Sequence, residues 1–125
     1  MTGVLERDTV TISDGTSSTS PDLVIRYAAR RQSGNVFHDI IGRASRDVSL
    51  SPARLRAGTI ECLYADRAAA HAALTLHAGA SILTYVDSTM AETDMSYAVE
   101  GFSEITHDRV YNKWKLSVEF EELDA

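Results

Sequence analysis

The sequence contains a single cysteine, Cys62, among its 125 residues. One thiol excludes an intramolecular disulfide and a cysteine-rich metal site, and it is consistent with folding in a reducing cytoplasm. Long apolar runs are also missing, since no segment approaches the roughly 20 apolar residues that cross a bilayer. Met1 to Asp8 carries acids and an arginine around no apolar core. We therefore expect no signal peptide and no membrane partner.

Catalytic and cofactor motifs are missing as well. The sequence has no glycine-rich dinucleotide loop, no P-loop, no H-E-x-x-H zinc motif and no serine in a G-x-S-x-G elbow. His71 and His77 lie about 240° apart around a predicted helix, so they cannot share a metal. Cys62 alternates with apolar residues and is interpreted as a buried structural thiol. We expect no catalytic residue, cofactor or metal, and we predict that the protein is not an enzyme.

The net charge of −6 conceals two segments of opposite sign. Residues 26–56 contain seven arginines and two aspartates, whereas residues 80–124 contain ten acidic and three basic residues. One interpretation is an unevenly charged solvated surface. The other is a basic face and an acidic face, suited to stacking or ring formation with copies of the same chain. Nucleic-acid binding is disfavoured because few aromatic residues accompany the arginines.

A strand, a helix and a second strand are predicted within residues 57–86. Residues 59–64 alternate with the period of a strand. Asp66 is a candidate N-cap for an alanine-rich helix over Asp66–Ala78, and we expect Gly79 to end it in a left-handed conformation. The predicted buried stripe of this helix consists of Ala69, Ala72, Ala73 and Leu76.

Strand patterns recur along the rest of the chain, over residues 9–13, 23–27, 36–41, 47–51, 82–86, 95–101 and 113–121. Gly101 is a candidate for a β-bulge at the end of the segment 95–101. We expect His107 and Asp108 to lie in a turn before the last strand. About eight strands and one helix predict a mainly-β fold, an antiparallel β-sandwich or barrel flanked by the helix. The predicted organisation is a partly mobile N-terminal arm with the first strand over residues 1–22, followed by a single domain over residues 23–125.

Four segments follow one another in an informative order: GTIECLY (58–64), GASILTY (79–85), MSYAVEG (95–101) and WKLSVEFEEL (114–123). The Asp-capped helix lies between the first and the second. In this order the chain resembles small minor tail proteins of long-tailed bacteriophages of actinobacteria. It is similar to the hub domain of distal tail proteins and to tail-tube subunits.

The resemblance implies a structural subunit of a phage tail. Six copies would close into a ring around the channel through which DNA passes, and the protein would be found in the virion after synthesis in the host cytoplasm. The implied partners are the protein itself and the neighbouring tube, hub and tape-measure proteins. The expected subunit interface comprises Arg30, Arg31, Val36, Phe37, Ile41, Arg43 and Arg46. The expected acidic lumen or stacking face comprises Asp87, Glu92 and Asp94.

A second interpretation assigns the chain to another class of protein, the ligand-binding modules. The domain could be a monomeric or dimeric module that holds a ligand or peptide near Tyr64, Tyr85 and Trp114. Trp114 is interpreted as a core residue, because it continues the apolar face of its strand. The oligomeric state of the protein distinguishes the two functions, because a tail subunit forms a ring and a binding module has no need of one.

Overall fold

A computed structural model of the chain describes residues 10–124. Within them the chain forms nine strands and one helix, which confirms the predicted mainly-β fold with a single helix. The strands are β1 (Val10–Ser13), β2 (Ser18–Thr19), β3 (Leu23–Arg30), β4 (Val36–His38), β5 (Asp47–Ser49), β6 (Ala57–Tyr64), β7 (Leu83–Asp87), β8 (Met95–Asp108) and β9 (Lys113–Leu123). The helix α1 spans Arg67–Ala78, and Ala91–Thr93 forms a 3-10 turn.

Seven strands form one antiparallel sheet, the main sheet, in the order β2-β1-β7-β8-β9-β6-β3. The inner strand β9 pairs with β6 on one side and with β8 on the other. The predicted alternation along β9 is confirmed, since Leu116, Val118 and Phe120 are buried on one face. That inner face carries the hydrophobic core, and the opposite, outer face is exposed.

The main sheet curves so that β3 faces β7 and β8 across the core. Tyr27 on β3 and Tyr85 on β7 are four strands apart in the sheet, yet their ring centroids are 5.5 Å apart. The Tyr27 hydroxyl also donates to Sδ of Met95 on β8 at 3.7 Å. Among the described strands no backbone pairing joins the two edges. Closure into a sandwich or barrel therefore remains a prediction.

The helix α1 connects β6 to β7 and packs on the inner face of the sheet. Asp66 is its N-cap, with the carboxylate accepting a hydrogen bond from the Ala68 amide at 3.2 Å, as predicted. Its buried residues are Ala70, Ala73, Leu76 and His77, so the buried stripe is rotated from the predicted one and Ala72 is exposed. No helix within residues 10–124 has the length and apolarity needed to cross a membrane.

The end of α1 differs from the expectation. Gly79 has φ −75° and ψ 161°, which is extended backbone, so the predicted left-handed glycine is wrong. The chain leaves the helix directly towards β7, and the Gly79 amide still donates to the Leu76 carbonyl at 3.4 Å.

β3 and β6 approach each other unusually closely at Gly58. An ideal Cβ built on Gly58 would overlap the carbonyl oxygen of Ala28. Ala29 is the register partner of Gly58, and the pairing continues to Arg30 and Ala57. The absence of a side chain at Gly58 therefore allows β3 to pair along the full length of β6.

β8 continues beyond its predicted end through a bulge. Val99 pairs with Phe120 and Ser103 with Val118, so the intervening segment of β8 has extra residues. Gly101 lies within it with φ +100°, so the predicted bulge is confirmed.

The predicted turn at His107 and Asp108 is wrong. These residues pair with Trp114 and Lys113, and the turn spans residues 109–112. Ile105 packs against the core and His107 stacks on the ring of Trp114. β8 therefore continues to Asp108.

The N-terminal segment divides into a described and an undescribed part. β1 lies within the main sheet between β2 and β7, with Ile12 paired to Tyr85. Residues 1–9 lie outside the described residues, and the mobile N-terminal segment predicted over residues 1–22 falls partly on them.

Candidate interaction surface

Residues 31–56, the arm, leave the main sheet between β3 and β6. β4 and β5 pair with each other through Phe37 and Val48 and form a separate two-stranded sheet. The predicted strand over residues 36–41 is too long, because β4 ends at His38. Gly42 has φ +86° and the Arg43 amide donates to the Ile40 carbonyl at 3.1 Å. This turn places Ile41 at the exposed end of the arm.

Hydrogen bonds hold the two sides of the arm together at its base. Arg31 Nε donates to the carbonyl of Arg54 at 2.8 Å, and the Arg54 amide donates to the carbonyl of Gln32 at 2.8 Å. The Asn35 side-chain oxygen accepts from the Ser51 amide at 2.9 Å. These bonds join residues of the arm to one another and do not involve the core.

One face of the arm is apolar and exposed. Cross-strand pairing places Phe37 and Val48 on the same face, and Leu50 follows Val48 by one strand repeat. Their side chains are 54%, 43% and 78% exposed. The Arg46 guanidinium lies over the Phe37 ring at 4.8 Å from its centroid. The face therefore combines an apolar centre with a cation.

The remaining residues of the expected interface are dispersed. Arg30 ends β3, and Arg31 is engaged at the base of the arm. Arg43 forms an exposed ion pair with Asp47 at 3.1 Å. Val36 lies on the face of the arm opposite to Phe37. The structure thus brings Phe37 and Arg46 together and separates the others from them.

The expected acidic face lies in the loop between β7 and β8. Asp87 is buried and accepts from the amide and hydroxyl of Thr89 at 2.9 and 2.8 Å. Asp94 accepts from the Asp87 amide at 2.7 Å. Glu92 is exposed, and its carboxylate has no partner within the described residues. Two of the three carboxylates therefore hold the loop in shape.

Arg56, at the end of the arm, was not singled out by the sequence. Its guanidinium donates to the carboxylate of Glu122, to the Tyr27 hydroxyl at 3.1 Å, and to the carbonyls of Glu92 and Asp94 at 2.9 Å each. All five donors of the guanidinium are engaged. The hydrogen bonds from Arg56 hold the pKa of Glu122 below its usual value. Arg56 thus joins the arm, β9 and the acidic loop.

A second exposed patch lies at the bulge of β8 on the outer face of the main sheet. We define the acidic patch as Phe102, Glu104 and Glu119, which line one shallow depression together with Ser117. Phe102 is 78% exposed. A Cβ at Gly101 would lie 3.1 Å from a carboxylate oxygen of Glu119, so that carboxylate packs against the bulge. The sequence predicts a bulge at Gly101 but not this grouping, which depends on the register of β8 against β9.

No protein-family model matches the chain, and no curated protein matches it. The likeness to phage tail proteins accordingly stays an expectation from the sequence. The exposed apolar face of the arm and its arginine are the structural features that bear on function.

The residues expected to hold a ligand lie in or against the core. Tyr64 and Tyr85 are 1% and 2% exposed, and the Tyr64 hydroxyl is hydrogen-bonded to the Thr19 hydroxyl at 3.1 Å. Burial raises the pKa of Tyr64 above its ordinary value. Trp114 lies between the rings of His71 and His107, with centroid distances of 5.1 and 4.1 Å. Tyr64 and Tyr85 thus belong to the hydrophobic core, and Trp114 packs against it.

Proposed function

We propose that the protein is a structural subunit that works by self-association, as expected of a ring-forming phage tail protein. The arm is the observation that carries this proposal. A two-stranded ribbon is at best marginally stable by itself in water. The arm nevertheless keeps Phe37, Val48 and Leu50 on an exposed face away from the core. Burial of that face against another protein surface would stabilise it by about 25 cal/mol per Å² of apolar area.

A second copy of the chain is the partner that its charges favour. Arginines are concentrated in residues 26–56, and the outer face of the main sheet carries glutamates on β6, β8 and β9. Two different surfaces that attract each other produce a head-to-tail interface, which closes into a ring or grows into a filament. A stable contact of this kind buries more than about 1,000 Å² in total.

In a phage tail, six copies of this subunit would surround the DNA channel in the virion and contact tube, hub and tape-measure proteins. Glu92 is the acid of the β7–β8 loop available to face such a channel. A negative lumen repels the phosphates of DNA and lets the DNA pass without being held.

The mass of the purified protein in solution tests self-association. Light scattering after size exclusion, at low and high salt, should give a species larger than one chain that dissociates as salt rises. Negative-stain electron microscopy of the large species should show rings with a central hole. A single-chain mass at every concentration and both salt levels would contradict self-association and would direct attention to ligand binding.

A further inference from the structure

The apolar face of the arm and the acidic patch have matching chemistry. The arm face consists of Phe37, Val48 and Leu50 with Arg46 over the phenyl ring. The acidic patch places the exposed Phe102 beside Glu104 and Glu119. Each surface therefore has an aromatic residue at its centre, and the charges beside the two rings are of opposite sign.

The bulge in β8 determines which side chains meet in the acidic patch. If the register of Val99 with Phe120 continued unchanged, Phe102 would face Ser117 and Glu104 would face Lys115. The extra residues between Val99 and Ser103 shift this register, with Gly101 in a positive-φ conformation. Glu104 consequently pairs with Ser117 instead of Lys115. Phe102, on the same outer face, is 78% exposed although it is a large apolar residue. Nothing in the described core uses this ring.

The carboxylates of the patch are available for a partner. Neither Glu104 nor Glu119 forms an ion pair within residues 10–124. On the arm, the contact between Arg46 and Asp39 is 3.8 Å long and joins exposed side chains, which is a weak pairing. A better-placed carboxylate on another molecule can replace it.

We propose that the arm face of one copy docks on the acidic patch of the next copy. This inference rests on the proposed self-association and names the two surfaces that carry it. Phe37 packs against Phe102, while Arg46 lies between Glu104 and Glu119. Every copy then offers one arm and one patch, so the contact repeats head to tail. The opposite charges orient the docking, and the two phenyl rings exclude water from its centre.

Cysteine cross-linking tests the proximity of the two surfaces directly. One preparation carries Arg46→Cys and a second, longer-tagged preparation carries Glu104→Cys. Upon mixing and mild oxidation, we expect disulfide-linked dimers that contain one chain of each kind. The native Cys62 is 1% exposed and does not compete. The matched control replaces Arg46→Cys by Arg109→Cys, at an exposed arginine in the β8–β9 turn, and should cross-link far more slowly.

Equal cross-linking rates for Arg46→Cys and Arg109→Cys would overturn the proposed contact. Cross-linking of Arg46→Cys chains to one another, in preference to Glu104→Cys chains, would also overturn it, because that result indicates a symmetric contact between two arms.

Charge reversal tests whether the contact drives assembly. We expect Arg46→Glu to weaken association about tenfold to hundredfold, and Glu104→Arg combined with Glu119→Arg to do the same. When chains with Arg46→Glu are mixed with chains that carry both Glu104→Arg and Glu119→Arg, the two variants should again associate with each other. Phe37→Ser and Phe102→Ser should weaken it similarly, whereas Tyr111→Ser, at a ring 73% exposed in the β8–β9 turn, should not.

The outcomes separate the docking contact from self-association itself. If the unchanged protein assembles and the charge-reversed chains assemble equally well, the docking contact is wrong and self-association stands. If the unchanged protein never assembles, both fail. Circular dichroism of each variant verifies that the substituted surface residues leave the fold intact.

Discussion

The guanidinium of Arg56 and the carboxylate of Glu122 form a two-pronged ion pair, with Nε–Oε1 and Nη2–Oε2 distances of 2.9 Å each. The backbone of the two residues is also joined, since the Glu122 amide donates to the Arg56 carbonyl at 2.7 Å. The side chains are only 21% and 17% exposed. This pair fixes the point at which the arm returns to the main sheet.

Arg56→Lys should lower the free energy of unfolding by about 2 kcal/mol, because an ammonium cannot reach Glu122, Tyr27 and both loop carbonyls together. Urea denaturation followed by tryptophan fluorescence measures the change. Arg43→Lys is the matched control, since its ion pair with Asp47 is exposed and should contribute less than about 0.5 kcal/mol. Equal effects of the two substitutions would contradict the role of Arg56.

The same pair predicts a loss of stability in acid. Arg56 lowers the pKa of Glu122 in the folded protein, so the stabilisation is complete above the unfolded pKa of about 4.3 and is lost as the pH falls below it. Glu122→Gln should remove this part of the acid dependence. Glu119→Gln, on the outer face, should leave it unchanged. The free energy of unfolding measured from about pH 6 to about pH 3 distinguishes them.

Gly58→Ala should destabilise the protein by about 1–3 kcal/mol, because the new methyl group overlaps the Ala28 carbonyl and forces β3 away from β6. Gly79→Ala is the matched control. Gly79 has ordinary extended backbone and room for a Cβ, with its nearest neighbour at 3.6 Å. Thermal unfolding should show a clear decrease for Gly58→Ala and no decrease for Gly79→Ala.

His77 should make stability depend on pH near neutrality. It is 3% exposed, its Nδ1 donates to the Ala73 carbonyl at 2.8 Å, and its Nε2 accepts from the Tyr97 hydroxyl at 2.7 Å. Burial lowers the pKa of His77 below its ordinary value. The stabilisation is therefore complete above the unfolded pKa of about 6.5 and decreases as the pH falls towards the folded pKa.

Chemical denaturation between about pH 7.5 and about pH 5 measures this dependence. His77→Gln should flatten the curve, whereas His71→Gln, at an exposed position of the same helix, should not. A curve unchanged by His77→Gln would refute the assignment.

The sequence predicts best the elements whose periodicity is set by burial. The alternation along β9 and the Asp66 cap of α1 reflect local chemistry, and both are confirmed. The rotated stripe of α1 shows a limit of this reasoning. Alanine fits an exposed and a buried position almost equally well, and a buried histidine such as His77 depends on a distant partner, Tyr97.

The parts that the sequence does not predict are set by contacts between distant segments. The grouping of Phe102 and Glu104 with Glu119 follows from the register between β8 and β9. The five donors of Arg56 reach three separate segments that come together only in the folded chain. In the expected interface, Phe37 and Arg46 meet because β4 and β5 pair, and Ile41 lies apart because Gly42 turns the chain.

The position of β9 has a consequence for the order of folding. β9 follows all other described strands in the chain, yet it lies inside the main sheet, between β8 and β6. Before β9 leaves the ribosome, β3 and β6 have no partner that connects them to β1, β7 and β8. Folding must therefore wait for residues 113–123, and such a topology, rich in long-range pairs, folds slowly. The edges of the unpaired strands stay exposed during this interval. High-level synthesis of the protein therefore favours aggregation through these edges.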